Sequence, residues 1–158
     1  MSDYGTSKLA AEHAVAAAHP GALVVRTSLL YAGPQPAPHE RLVADAIEGR
    51  ADVGFFTDEL RCPIAVDDLA SALLELAETD LSGPLHVAGA ETVSRFRFAQ
   101  LVAEAAGLDG ARLRPSLSAD LPVRRPRNCA LDSSRAQELL RTRLRGVTEV
   151  LGTPGAAI

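Results

Sequence analysis

Tyr4 and Lys8 stand four residues apart at the start of the chain, so on a helix both side chains leave the same face about one turn apart. A free phenol titrates near pH ~10, and an ammonium fixed a few ångströms away favours the phenolate and makes such a group competent for proton transfer near neutrality. Lys8 is the only lysine, every other basic side chain being arginine. A compact ammonium with three donors can touch a phenol and sugar hydroxyls in a way a planar guanidinium cannot. The spacing alone is equally that of a solvated helix face, because short motifs recur by chance.

The elements that must position this pair read as α/β. Thr6–Ala18 is Ala-rich with apolar residues on nearly every face and stops at His19, Pro20 and Gly21, which predicts a helix that needs burial on more than one side. Ala22–Arg26 follows as a short apolar run, expected to be a strand buried on both faces of a parallel sheet, with no obvious partner before it. Ala32–His39 holds three prolines and reads as a loop. Helices are expected over Arg41–Glu48, from an Asp67 or Asp68 cap, from a Ser94 cap to Gly107, and from Asp132 or Ser133 through Leu140. Strands are expected at Val53–Thr57 and Pro84–Ala88.

Composition excludes several classes. The chain has 158 residues, is 47% hydrophobic and carries 16 basic against 20 acidic side chains, a formal net charge of −4 with no long like-charge block. That speaks against a nucleic-acid partner. No apolar run approaches the ~20 residues a bilayer span requires, and the N-terminus lacks the apolar centre of a signal peptide. Cys62 and Cys129 have no metal or redox spacing and read as free thiols of a reducing, cytoplasmic setting. His86 reads as a satisfied core residue, and His13, His19 and His39 have no metal-binding neighbours, so no metal is expected.

The opening YGTSKLAAE resembles the catalytic helix of the extended short-chain dehydrogenases/reductases. Four further segments narrow the resemblance to the sugar-nucleotide-binding group similar to dTDP-4-dehydrorhamnose reductase: VVRTSLLYAG at Val24–Gly33, CPIAVDDLASALLEL at Cys62–Leu76, LHVAGAETVSRFRFAQLVAEAAG at Leu85–Gly107 and RRPRNCALDSSRAQELL at Arg124–Leu140. They keep the family's order and spacing over nearly the whole chain. The resemblance implies the C-terminal part of a Rossmann-type NAD(P)-binding fold with its small substrate-binding lobe. Residues 1–57 would end the sheet, 58–151 would form the lobe interleaved with the last sheet elements, and 152–158 would be a frayed tail.

By the same resemblance, Tyr4 and Lys8 are the catalytic pair, and NAD or NADP gives hydride to a keto carbon of a nucleotide-linked sugar. Lys8, Arg26 and Thr27 are then cofactor-side residues, and Leu29, Arg61 and Asn128 substrate-side ones. The family's upstream Ser or Thr and its glycine-rich fingerprint have no counterpart here, since only three residues precede Tyr4 and no G-x-x-G-x-x-G occurs. The chain alone is therefore expected to be inactive. Leu29 stands where rhamnose-precursor reductases carry Trp, and the family's D-Q-x-G-x-P-T appears as Asp58-Glu-Leu-Arg-Cys-Pro-Ile64, with Glu59 for Gln and Arg61 for Gly. Arg61 either reaches a substrate phosphate or is exposed or paired with Asp58. Arg124, Arg125 and Arg127 either face the substrate's diphosphate or belong to a turn that pins the lobe. The Thr6–Ala18 helix is expected to join a second copy or a missing N-terminal half. The alternative is a non-catalytic sugar-nucleotide-binding or regulatory module, or an inactive remnant.

Overall fold

The computed structural model describes residues 3–32, 36–122 and 125–152. Helix α1, Asp3–Ala18, begins earlier than its apolar pattern, with Asp3 placing negative charge at the helix N-terminus. The expectation that it is buried on several sides is not met: none of its residues is buried, and Leu9 and Val15 stay 38% and 44% exposed. The alanine-rich sequence forms the helix by propensity, while the described residues supply no layer on its outer side. Strand β1, Leu23–Arg26, pairs in parallel with a later segment, Leu23 opposite Gly83 and Arg26 opposite His86. It is half-buried, not enclosed, because only one edge is paired and Leu23 and Val25 turn one face to the core.

Strand β2, Leu30–Tyr31, leads towards helix α2, Pro38–Ile47, which starts three residues before the expected Arg41. Pro38 suits the first turn, where its missing N–H is no loss. Glu40 reaches back to the amides of Ala37 and Ala32 at 2.7 and 3.1 Å, satisfying donors the helix leaves free. Gly49 closes the helix at φ +79°, the left-handed conformation that favours glycine. Next come β3, Phe55–Phe56, β4, Leu60–Arg61, and β5, Ile64–Ala65, which pairs in parallel with β2.

Helix α3, Val66–Leu76, is capped by Ala65 and not by Asp67 or Asp68. Asp68 is drawn instead to Arg145, whose Nε and NH2 donate to Oδ1 at 3.1 and 2.6 Å, while its backbone N–H donates to Oδ2 at 3.1 Å. Strand β6, Gly83–His86, is the partner of β1, and β7, Val93–Ser94, pairs antiparallel with β4. Ser94 caps α4, Arg95–Ala105, through a 3.0 Å bond from the Arg97 amide, as the sequence predicted. Strand β8, Pro115–Ser116, joins β3 in parallel. Helix α5, Ser134–Leu139, begins where Asp132 accepts from the Ser134 amide at 3.0 Å; the Ser133 hydroxyl accepts from Ala88 instead of capping. The short α6, Val147–Leu151, has no counterpart in the sequence expectations. The expected frayed tail, apart from Gly152, lies outside the described residues.

Two apolar cores result. One gathers Tyr31, Val43, Phe55, Phe98, Leu101 and Val147; the other gathers Leu69, Ala72, Leu76, Leu85, Val87 and Leu144. Ile64 enters the second and Ala65 the first, as neighbours on a strand point to opposite faces. Phe98 is 4% exposed and meets Tyr31 edge-on at 5.7 Å and His39 at 5.5 Å. Phe98→Ala should cost about 3–5 kcal/mol in urea unfolding, by lost transfer energy and a cavity. Leu74→Ala, at a site 73% exposed, should cost under about 0.5 kcal/mol; equal losses would contradict this placement of the core.

Glu75 generates a second prediction. Its carboxylate accepts from the Arg141 and Thr142 amides at 2.7 and 3.0 Å and from the Thr142 hydroxyl at 2.9 Å. These bonds, the Arg141 amide foremost, hold it down at about 2. A carboxyl lowered by folding adds stability above its unfolded value and loses it as pH falls through the folded one. The stability advantage of the native chain over Glu75→Gln should therefore be full above pH ~4.5 and vanish towards pH ~2. An advantage independent of pH would show that these bonds do not depend on ionisation.

Candidate active site

On α1, the Lys8 ammonium lies 5.6 Å from the centre of the Tyr4 ring, and Tyr4 is 72% exposed. The next turn carries Glu12, whose carboxylate takes the Arg26 guanidinium in two bonds, Nε to Oε1 at 2.9 Å and NH2 to Oε2 at 2.5 Å. This pairing lowers the Glu12 carboxyl below, and raises the Arg26 guanidinium above, its ordinary range. The clamp ties α1 to the last residue of β1. Because α1 and β1 are joined by a short turn and run antiparallel, Lys8 and Tyr4 lie one and two turns beyond the clamp, towards the carboxyl end of the strand. In open α/β sheets that end is where ligands bind.

Arg26 thus gives its guanidinium to Glu12, and Thr27 follows it, exposed. The next residues cross to the second part of the molecule: Ser28 Oγ accepts from the Cys62 amide at 3.2 Å, and the Leu29 carbonyl accepts from Ile64 at 2.8 Å. Leu29 is half-buried at this crossing.

Arg61 and Asn128 fall in a separate group around β4. Arg61 pairs with Glu59, its NH2 lying 3.2 Å from Oε2, and not with Asp58. Asp58 instead accepts from the Ser118 amide and hydroxyl at 2.7 and 3.0 Å and from Ala119 at 3.1 Å, bonds that hold its carboxyl low. Asn128 Oδ1 accepts from the Ala130 amide at 2.9 Å, a turn-forming bond. The 127–129 backbone is pinned to β4 by Leu60 donating to the Arg127 carbonyl at 2.6 Å and Cys129 donating to the Leu60 carbonyl at 3.1 Å. Arg125 and Arg127 line a cleft of about 310 Å³ with Ser118, Ala119 and Leu121, whereas Arg124 lies outside the described residues. His86 is half-buried, its Nδ1 3.2 Å from the Asp132 carbonyl.

Sequence reading missed Arg95 and the pairing of Glu59. Arg95, first residue of α4, is half-buried and its amide donates to the Glu59 carbonyl at 2.9 Å; burial lowers its guanidinium below the ordinary range. The signal for Glu59 was visible as an acidic residue in place of Gln; none marked Arg95 as its neighbour.

The described residues fit a nicotinamide cofactor at one end only. Lys8 and Thr27 are exposed near the carboxyl end of β1. The glycines at positive φ, Gly49, Gly83 and Gly107, close helices or open a strand, so none forms the strand-to-helix turn that cradles a pyrophosphate. Among the described residues no three His, Cys, Asp or Glu side chains cluster to hold a metal, and no helix is long and apolar enough to cross a membrane.

Residues 1–153 match the model of the RmlD substrate binding domain. The dTDP-4-dehydrorhamnose reductase of Mycobacterium tuberculosis (strain ATCC 25618 / H37Rv) is 41% identical over 126 residues, which cover 79% of this chain and 41% of that protein. Methionine adenosyltransferase 2 subunit beta of Bos taurus is 33% identical over 86% of this chain and 43% of its own length. The crystal structure of dTDP-4-dehydrorhamnose reductase from Bacillus anthracis in complex with NADP superposes with a TM-score of 0.78 at 25% identity, covering 94% of this chain and 52% of that one. The chain thus spans about half the length or less of these relatives. With the family model matched almost end to end, the chain belongs to the RmlD substrate-binding domain family, in the Rossmann-type extended short-chain dehydrogenase/reductase class.

Proposed function

We propose that this chain supplies the proton-donating helix and the substrate lobe of an NAD(P)-dependent reductase acting on a keto group of a nucleotide-linked sugar. The observation that carries the reading is the Tyr4–Lys8 pair, held on an open face beside the carboxyl end of β1. The reduced cofactor, when bound, supplies hydride to the keto carbon. Tyr4 gives its phenolic proton to the alkoxide oxygen that this leaves. Lys8 places positive charge beside the phenol as the proton departs and offers donors to the nicotinamide ribose, with Thr27 as the neighbouring hydroxyl. Arg26 acts at one remove, orienting α1 through Glu12. Leu29 borders the sugar between this pair and the arginine cleft, where Arg125 and Arg127 face the diphosphate. Asn128 shapes the turn that presents them.

The cofactor's pyrophosphate is held outside this chain, by a dinucleotide-binding half or a second subunit that covers α1 and the open edge of β1. Domain limits near 57 and 151 follow from the same reading. A second reading, a non-catalytic subunit that uses the α1 face for a protein partner, draws support from the relative named as a beta subunit.

The test is NADPH oxidation in the presence of a nucleotide-linked 4-keto sugar, with the chain joined after a dinucleotide-binding half taken from the mycobacterial relative. Tyr4→Phe should lower kcat by roughly 10²–10⁴-fold with little change in substrate KM, the usual size of a lost general acid. Turnover unaffected by Tyr4→Phe, or no turnover at all, would favour the subunit reading.

A further inference from the structure

The surroundings of β4 give Arg61 work other than touching a ligand. Its side chain is 15% exposed and its guanidinium is engaged: NH1 donates to the carbonyls of Leu60 and Arg127 at 2.7 and 3.4 Å, and NH2 to the carbonyl of Pro126 at 3.3 Å and to Glu59 at 3.2 Å. These bonds fix the backbone that carries Arg125 and Arg127. The Glu59 side chain is fully buried, and its second oxygen sits 2.8 Å from Arg125 Nε, an ion pair without hydrogen-bond alignment. Arg125 also lies over the Phe56 ring, 5.5 Å from its centre. One buried carboxylate therefore pairs with two guanidiniums, those of Arg61 and Arg125, while the Arg95 amide donates to the Glu59 carbonyl at 2.9 Å, leaving an excess of positive charge beside the cleft lined by Arg125 and Arg127. The far wall is set by Asp58 holding Ser118 and Ala119.

We infer that Glu59 and Arg61 are positioning residues that hold Arg125 and Arg127 around a cleft for a diphosphate group. The choice of ligand rests on the proposed nucleotide-sugar substrate; the roles of Glu59 and Arg61 rest on the contacts above. A guanidinium held by a buried carboxylate and aromatic ring keeps less freedom to lose when it takes an anion.

The sign of one substitution separates positioning from simple charge. Glu59→Gln keeps the shape and removes a negative charge, so Coulomb attraction alone would tighten anion binding, whereas lost positioning weakens it. The experiment is calorimetric titration of the chain with inorganic pyrophosphate and with thymidine diphosphate, and the melting temperature of every variant is measured alongside. Native protein should bind both, and Arg125→Ala and Arg127→Ala should each weaken binding about tenfold. Glu59→Gln should weaken it about tenfold and also lower the melting temperature, since it leaves guanidiniums without their buried carboxylate, so binding is read well below each variant's transition; it should cost no further binding in an Arg125→Ala background. Arg61→Lys keeps the charge without the carbonyl contacts and should also weaken binding; it serves where Glu59→Gln does not fold. Unchanged or tighter binding by Glu59→Gln, a loss that persists without Arg125, or unchanged binding by Arg61→Lys would overturn the positioning roles and leave the anion cleft standing. Failure of the native protein to bind either probe would overturn the cleft, and with it the substrate side of the proposed function.

Discussion

The backbone from Leu60 to Asp68 is bonded on every side, and the rest of the molecule is arranged around it. Leu60 and Arg61 pair with Val93 and Ser94 on one edge, and the Arg127–Cys129 backbone bonds Leu60 on the other. Cys62 and Ile64 are tied to Ser28 and Leu29, and Ile64 and Ala65 feed opposite cores. Gly89 packs so closely that a Cβ there would stand 1.9 Å from the Pro63 carbonyl oxygen, which only glycine avoids. Asp68 then anchors the first turn of α3 to Arg145. Asp68 is buried and takes several bonds from the partly exposed Arg145, so this end of the segment is held in one place and the segment behaves as a rigid spine. Helix α1 reaches that spine through β1 and the 27–29 crossing, and the arginine cleft is built directly on it.

Against that spine, α1 is lightly held. It buries no residue, and the Glu12–Arg26 pair that ties it to the sheet is half-exposed and screened by water, which makes it a weak hold. An Ala-rich helix of 16 residues is marginal on propensity alone. Its order therefore depends on what covers the α1 and β1 surface, and under the proposed function the same cover brings the hydride donor to Tyr4. Folding of the catalytic helix and completion of the active site become one event.

The elements legible in the sequence were those with local causes. Gly49 and Gly107 end helices because positive φ favours glycine, Ser94 caps α4, and the Val24–Val25 run forms a strand. Strand β3 falls inside the expected Val53–Thr57, but β2, β4, β5, β7 and β8, also two residues each, are too short to show a period and are defined by partners distant in the chain. Asp68 looked like a cap because local pattern favours acid in a first turn; Arg145, 77 positions on, takes its carboxylate. The candidate site divides the same way. Tyr4 and Lys8 come from one helix, and spacing shows their shared face; the family resemblance supplied the role proposed for them and pointed to Arg26, Thr27 and Leu29. The clamp of Arg26 by Glu12, the pairing of Arg61 and Arg125 with Glu59, and the turn role of Asn128 depend on tertiary contacts that no local pattern encodes.

Under the proposed function labour is divided: this chain grips the substrate's phosphates and donates the proton, and the hydride donor is gripped elsewhere. The most direct measurement is a pair of NMR titrations of the chain, one with a nucleotide-linked sugar and one with NADPH. Saturable shifts are expected in the amides of Leu60, Ser118, Ala119, Arg125 and Arg127 with the sugar nucleotide, and no binding of NADPH at micromolar concentration. Micromolar NADPH binding centred on Lys8 and Thr27, with no response around Arg125, would contradict that division.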